Sequence, residues 1–346
     1  MTGLSSPDSR KIDLTGRLSG VDLKALSARL GARYALIGVW LLLIVFFGIV
    51  NGNVFLTSLT AQTIASTEAV VALLALSALL PLVVGQFDLS VTSQFGLMQG
   101  LCAGFIVNQV VSAGLAVAFV LALGAIFGLV NGVLVTIVRI NAFVATLATG
   151  TLAEGLTQWY TGGGEVIGHF PRAFTDAGRS QIQGIPLPFV YVVLLGMVLW
   201  VLLEYTGWGR RAFATGGSPR AALLSGINVR FVTIASFAMT GVIAAFAAAV
   251  EVMTLGAASP DTGSQFLLPA FAGAFLGAAV LRPGRFNVWG TVIAIYFMAT
   301  GITGLQQLGA PSYIQQLFNG LALLIAVAAA QFSAERRRRT AARSST

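Results

Sequence analysis

Charge is scarce in this 346-residue chain: Asp, Glu, Lys and Arg make up 9% of it. An ordinary soluble domain carries about a quarter. A water-soluble globule with this balance would lack a polar coat, so that class is excluded. Disorder, collagen-like repeats and a basic nucleic-acid-binding domain are excluded with it. The single cysteine, Cys102, rules out an intrachain disulfide or a thiolate metal site, and the single histidine, His169, rules out a histidine cluster. Lysine occurs only at Lys11 and Lys24, neither preceded by glycine. A P-loop needs Gly-x-x-x-x-Gly-Lys-Ser/Thr, because backbone N–H groups and a lysine must cradle phosphate. That nucleotide site is therefore excluded from this chain. What the sequence has in quantity is apolar surface: 56% hydrophobic residues and a mean hydropathy of +0.87. The class is a polytopic membrane protein, in which each spanning helix uses about 20 apolar residues.

Apolar runs occur near 34–51, 59–84, 91–109, 112–138, 141–160, 187–204, 231–254, 267–281, 286–304 and 312–332. They predict an all-α transmembrane bundle of about ten spans. The runs 91–109, with Gln94, Gln99 and Asn108, and 267–281, which is short, are the weakest and suit re-entrant or broken helices. Residues 1–33 read as a cytosolic tail, either with Leu23, Leu26 and Leu30 on one helical face resting on the membrane or loosely ordered. Residues 34–332 form the transmembrane domain, and 333–346 a basic cytosolic tail. With the N-terminus inside, 18 of the 20 Lys and Arg residues fall in inner segments, and only Arg172 and Arg179 fall outside. Basic residues stay on the cytoplasmic side, so both termini are expected there. The inner loop 205–230 then divides the spans five and five, and odd-numbered halves in series face opposite ways, as in an inverted repeat.

Of the 40 glycines, Gly96, Gly100 and Gly104 form one ridge and Gly124, Gly128 and Gly132 another. Lipid gives helices no hydrophobic drive to associate, so small residues that admit close backbone contact do that work. Packing within one subunit is the plain reading; a dimer interface or a sliding contact is the alternative.

Glu68, Asp88, Glu154 and Glu251 lie in or beside apolar runs, where a carboxylate costs about 2.5–3.5 kcal/mol on insertion scales. Such groups face protein or a wet cavity. In Gly85-Gln86-Phe87-Asp88-Leu89-Ser90, Gly85 permits a sharp turn, and Asp88 and Ser90 are helix-starting residues. The segment reads as a break lining the transport path, or as a cap on the next helix. Glu154, Gln158, Trp159 and Tyr160 end the fifth run. Aromatic planes beside amides can hold a sugar, whereas Trp and Tyr at that depth also serve as interfacial anchors. Asn131, with Asp88, Ser90, Glu68, Glu154, Gln158 and Trp159, completes the candidate substrate path.

Within the inner loop, Ser218 is a good N-cap and Pro219 fits the first helical position. The segment Ser218, Pro219, Arg220, Ala221, Ala222, Leu223, Leu224, Ser225 predicts a two-turn helix, and Gly226 suits its end. Leu223 and Leu224 are apolar groups in a cytosolic loop, so the helix is either covered or offered to a soluble partner. Arg220 pairs with an acidic patch on that partner, or serves only as a positive-inside residue.

Four stretches carry a family resemblance. Gly85–Thr92 resembles Gly-Gly-Ile-Asp-Leu-Ser-Val-Gly. Asn131 to Gly163 resembles Asn-Gly…Val-Thr-Leu-Gly-Thr…Thr-Gly-Gly. Gly209–Val229 resembles Gly-Arg…Gly-Gly-Asn-x-x-Ala-Ala-x-x-Ser-Gly-Ile. Leu276–Thr291 resembles Leu-Gly-Gly…Gly-Gly-Arg-Gly…Gly-Thr. In this order they are similar to the permease subunit of ribose-type ABC sugar importers, within the broader branched-chain amino acid/ribose permease group. Gln86 and Thr92 replace two family glycines, and Arg282-Pro283 replaces Phe-Gly. The resemblance implies a permease of the bacterial inner membrane that moves a monosaccharide or related polyol by alternating access. It implies a second copy or a sister permease, two cytosolic ABC ATPase subunits that bind the ATP and Mg, and an extracytoplasmic sugar-binding protein. The chain itself is then neither an enzyme nor a cofactor binder, and 218–225 is the ATPase-coupling helix. An ion-coupled secondary transporter using the four intramembrane carboxylates is the alternative. An intramembrane enzyme finds no paired His, usable Cys or Ser/His arrangement.

Overall fold

The computed structural model describes residues 23–325, 327 and 328, with side chains from residue 34 onward. α1 starts within the predicted tail 1–33, at Leu23; the side chains of Leu23, Leu26 and Leu30, the rest of that tail and the tail 333–346 lie outside the described residues. The element order is α1 (Leu23–Phe55), α2 (Ser58–Thr67), α3 (Ala69–Val83), α4 (Val91–Val107), α5 (Ala113–Thr136) and α6 (Ala142–Thr161). There follow β1 (Val166–Ile167), α7 (Arg172–Arg179), β2 (Gln181–Ile182), β3 (Ile185–Pro186), α8 (Leu187–Tyr205), α9 (Gly207–Gly217) and α10 (Pro219–Leu224). Then come α11 (Val229–Leu255), β4 (Ala257–Ala258), α12 (Thr262–Gly277) and α13 (Val288–Gln307). A last apolar helix, α14, covers Ile314–Ile325.

Each of the ten apolar runs holds a helix among the described residues, but they are not equivalent. Among the described residues, six segments are long and apolar enough to cross a membrane: Tyr34–Phe55, Ser58–Val83, Ala113–Thr136, Leu187–Tyr205, Val229–Leu255 and Val288–Gln307. α4 and α14 are apolar but shorter. α12 has 16 residues with Pro269 inside. α6 is long enough, with 20 residues, but dilutes its apolar content with five threonines, Glu154 and Gln158. The run 59–84 is interrupted at Glu68, which closes α2 by donating its backbone N–H to the Ile64 carbonyl.

α3 is the centre: every residue from Ala69 to Val83 is buried. α4 and α11 lie against it. Ser77 and Thr240 lock α3 to α11 reciprocally, each hydroxyl donating to the other's carbonyl at 2.9 and 3.1 Å. The Gly124, Gly128 and Gly132 ridge of α5 seats α11, with Gly124 on Gly241, Gly128 on the Phe237 carbonyl and Gly132 on Ile234. Gln94 ties the crossing by donating its amide to the carbonyls of both Gly124 and Gly241, at 3.2 and 3.0 Å. The Gly96, Gly100 and Gly104 ridge of α4 faces Gly263 of α12, then Thr157, Thr161 and Tyr160 of α6. Both ridges thus pack helices of this same chain.

At one end of the bundle, β1 pairs antiparallel with β4 and β2 with β3. The β2–β3 turn uses Gln183 and Gly184, both at positive φ, the twist a two-residue hairpin requires. Arg179 donates to the Thr254 and Leu255 carbonyls at 2.8 and 2.7 Å, covering the α11 C-terminus where basic groups are favoured. At the other end, Glu204 at the foot of α8 pairs with Arg282 and Arg285 of the α12–α13 connection.

Candidate functional site

After α3 the chain turns at Gly85, whose φ of 79° suits glycine, and runs back into the bundle. A Cβ on Gly150 would lie 3.3 Å from Ser90 Cα. Gly150 is the ninth residue of α6, so α4 starts about 12 Å along α6 from its first turn. α4 is therefore a short helix that begins inside the bundle. Its start is held by side chains. Asp88 is buried, and its Oδ1 accepts from the Ser90 N–H at 3.1 Å and the Ser90 hydroxyl at 2.5 Å. Ser90 Oγ accepts from Asn131 Nδ2 at 2.8 Å, and Asn131 Oδ1 from the Thr149 hydroxyl at 2.8 Å. The Leu89 N–H donates to Thr146 Oγ1 at 3.0 Å. The capping expectation needs correction here: Ser90 occupies the N-cap position, yet its side chain caps nothing, because its oxygen accepts from Asn131 instead of from a backbone N–H of α4.

Beside this network lies a polar cavity of about 420 Å³. α4 contributes Ser93 and Gly96, α6 contributes Thr151, Glu154, Thr157 and Gln158, and the start of α12 contributes Asp261, Gly263 and Ser264. Ser93 donates to Glu154 Oε1 at 2.8 Å, and Gln158 donates to Asp261 Oδ1 at 3.1 Å. Neither carboxylate has an ion pair among the described residues. The cavity exists because Gly96 and Gly263 let α4 and α12 cross with only 3.7 Å from a built Gly96 Cβ to Gly263 Cα, leaving their first-turn serines at its rim. Its chemistry is that of a hydroxyl binder: two carboxylates accept, while an amide and four hydroxyl-bearing residues both donate and accept.

Of the predicted path, the structure brings Glu154 and Gln158 to this cavity, and Asp88, Ser90 and Asn131 to the network behind it. Trp159 does not join them. It follows Gln158 by one residue, so it projects about 100° around α6 and is 79% exposed. Glu68 lies in a separate cavity of about 50 Å³ with Gln265, Gln315 and Asn319. Sequence reasoning missed Asp261 and Ser264, which sit between apolar runs. The available signal is an echo: Asp88 precedes one short run as Asp261 precedes the other.

The predicted inner-loop helix is α10. Ser218 Oγ accepts from the Ala221 N–H at 3.4 Å, Pro219 is the first residue, and Gly226 follows at φ 80°. Ala222 is buried, whereas Leu223 is 64% and Leu224 90% exposed. Sequence reasoning missed α9, which precedes it. Its start is capped by Thr206, which accepts from the Gly209 N–H at 3.2 Å.

An apolar helical bundle with an internal polar cavity and broken helices at it defines a membrane transport protein. Residues 60–327 match the family of permease components of the branched-chain amino acid transport system, and the chain belongs to it. It is 36% identical over 287 residues to the ribose import permease protein RbsC of Bacillus subtilis (strain 168), spanning 83% of this chain and 88% of that one. It is 34% identical over 317 residues to the autoinducer 2 import system permease protein LsrD of Escherichia coli (strain K12), spanning 89% of this chain and 94% of that one. No solved structure matches.

Proposed function

We propose that this chain is the membrane-spanning permease of an ATP-binding cassette importer for a monosaccharide or related polyol. It holds no nucleotide site of its own and takes its driving force from separate ATPase subunits on the cytoplasmic side. The observation that carries this reading is α10, a helix capped at both ends that presents Leu223 and Leu224 to the outside of the bundle. Two exposed leucines on a fixed helix are a hydrophobic anchor for a cleft in a partner. Arg210, Arg211, Arg220 and Arg230 surround it in sequence, which supports a cytoplasmic setting with both termini on that side.

The substrate follows from the cavity. Two short helices, α4 and α12, each third among five membrane segments of their half under the five-plus-five scheme, meet at Gly96 and Gly263. Interrupted helices in corresponding positions of two inverted halves point to a transporter's binding site. The cavity there offers acceptors and donors for hydroxyls and no cationic group, which favours a neutral polyol over a sugar phosphate or acid. Import of ribose and of autoinducer 2 by the two relatives, as their names state, agrees. An external binding protein delivers the substrate, a second copy or sister permease completes the pathway, and the halves rock to switch access.

The test is uptake by the complex that co-purifies with this chain, in proteoliposomes containing ATP. Saturable uptake of a neutral sugar or polyol that stops when Glu154→Gln and Asp261→Asn are combined is the expected result. Uptake that is unaffected by the double substitution contradicts the cavity assignment.

A further inference from the structure

The small cavity at Glu68 has a chemistry of its own. Glu68 falls at the break between α2 and α3, within the span Ser58–Val83. Ten residues of helix precede it there, so it stands about 15 Å along a layer of about 30 Å. Its backbone is fully used: the N–H donates to the Ile64 carbonyl and the carbonyl accepts from the Ala72 N–H. Its carboxylate, among the described residues, has neither an ion pair nor a hydrogen-bond donor. Tyr296 of α13, near enough to feel the Glu68 charge, donates its hydroxyl to the Ala65 carbonyl at 3.3 Å instead.

The same cavity is lined by three carboxamides. Asn319 of α14 is 5% exposed and makes no hydrogen bond among the described residues. Gln315 lies one turn earlier on that face of α14, and Gln265 stands in the first turn of α12. The remaining lining is apolar and includes no basic side chain. Water satisfies the hydrogen bonds of such groups but brings no charge, and a carboxylate at this depth calls for a counter-charge. Hard cations take oxygen ligands, which carboxylates and carboxamides supply. The cavity measures about 50 Å³, and a water molecule takes about 30 Å³ in the liquid. That admits one small ion and excludes a sugar ring. Mg²⁺, which keeps several of its waters, is excluded too, and a single carboxylate balances a single positive charge.

We propose that this cavity is a Na⁺ site, in which the Glu68 carboxylate and the side-chain oxygens of Asn319, Gln265 and Gln315 hold the ion between α3, α12 and α14. Ser264 lines the substrate cavity and Gln265 this one, so the ion steadies the first turn of α12 from its other side. The ion is structural, and its effect appears without any gradient.

The test uses the full chain purified in detergent, with NaCl exchanged for choline chloride at constant ionic strength. The wild-type thermal midpoint is expected to rise saturably with Na⁺, by about 2–4 °C at tenfold over half-saturation. Glu68→Gln keeps the shape, removes the charge and is expected to lose that response. Asn319→Leu keeps the charge and is expected to need about tenfold more Na⁺ for the same rise. Binding of radioactive Na⁺ to the wild type, a single ion per chain, reads the site without any variant. Equal midpoints in NaCl and choline chloride, a Na⁺ response that survives Glu68→Gln, a response to KCl but not to NaCl, or no bound radioactive Na⁺ each overturns the inference. None of these results touches the permease reading, which stands or falls on ATP-driven uptake.

Discussion

Asp88 illustrates how one side chain serves two purposes. Its Oδ1 takes both hydrogens that Ser90 offers, and through Ser90 it is tied to Asn131 and Thr149. Its Oδ2 is buried without a protein partner. Asp88→Asn keeps the accepting oxygen and the shape but removes the charge. It is expected to leave membrane insertion and assembly intact and to lower uptake about tenfold, the equivalent of about 1.4 kcal/mol. Initial uptake rates, normalised to assembled complex, check this; an unchanged rate reduces Asp88 to a local turn-former. Asp88, Glu154 and Gln158 were legible in the sequence because polar groups in apolar runs stand out. Which of them share a cavity was not legible, since that depends on helix rotation. Trp159 shows the limit: adjacent to Gln158 in sequence, it projects in another direction. Asp261 stayed hidden because a carboxylate between apolar runs looks like an ordinary loop residue.

Among elements, the glycine ridge of α5 and the leucines of α10 make opposite demands. A side chain at Gly128 would run into the Phe237 carbonyl on α11, and neither backbone can yield without moving a whole helix. Gly128→Leu is expected to destabilise the bundle by about 3 kcal/mol, seen as a lower thermal midpoint and a poorer yield of monodisperse protein. Leu223→Asp or Leu224→Asp changes an exposed surface, so the midpoint is expected to stay within about 0.5 kcal/mol of wild type. Co-purification of the ATPase is expected to be lost; normal co-purification with both variants contradicts the role given to α10. The helix itself was readable because Ser218-Pro219 and Gly226 are strong local signals. α9 was not, because a start at Gly207-Trp208-Gly209 and an end at Gly216-Gly217 look like loop. The seats on Leu203 and Val83 that need those glycines are tertiary. The break at Glu68 was missed for a similar reason: an apolar run of 26 residues gives no sign that its helix is interrupted.

For the molecule as a whole, hydropathy located the apolar helices because the bilayer imposes the same requirement on all of them. It also set apart the weak runs 91–109 and 267–281, which are the short helices α4 and α12 that form the cavity; that the two meet was not legible. The central claim is that this chain is a gate whose motive force comes from another polypeptide acting on α10. The most direct measurement compares uphill solute accumulation in ATP-loaded liposomes containing the purified chain alone with accumulation in liposomes containing the chain and its co-purifying ATPase, the external binding protein being supplied to both. Accumulation only when the ATPase is present, and unaffected by a proton ionophore, is the predicted result; accumulation by the chain alone, collapsing with the ionophore, would contradict the account.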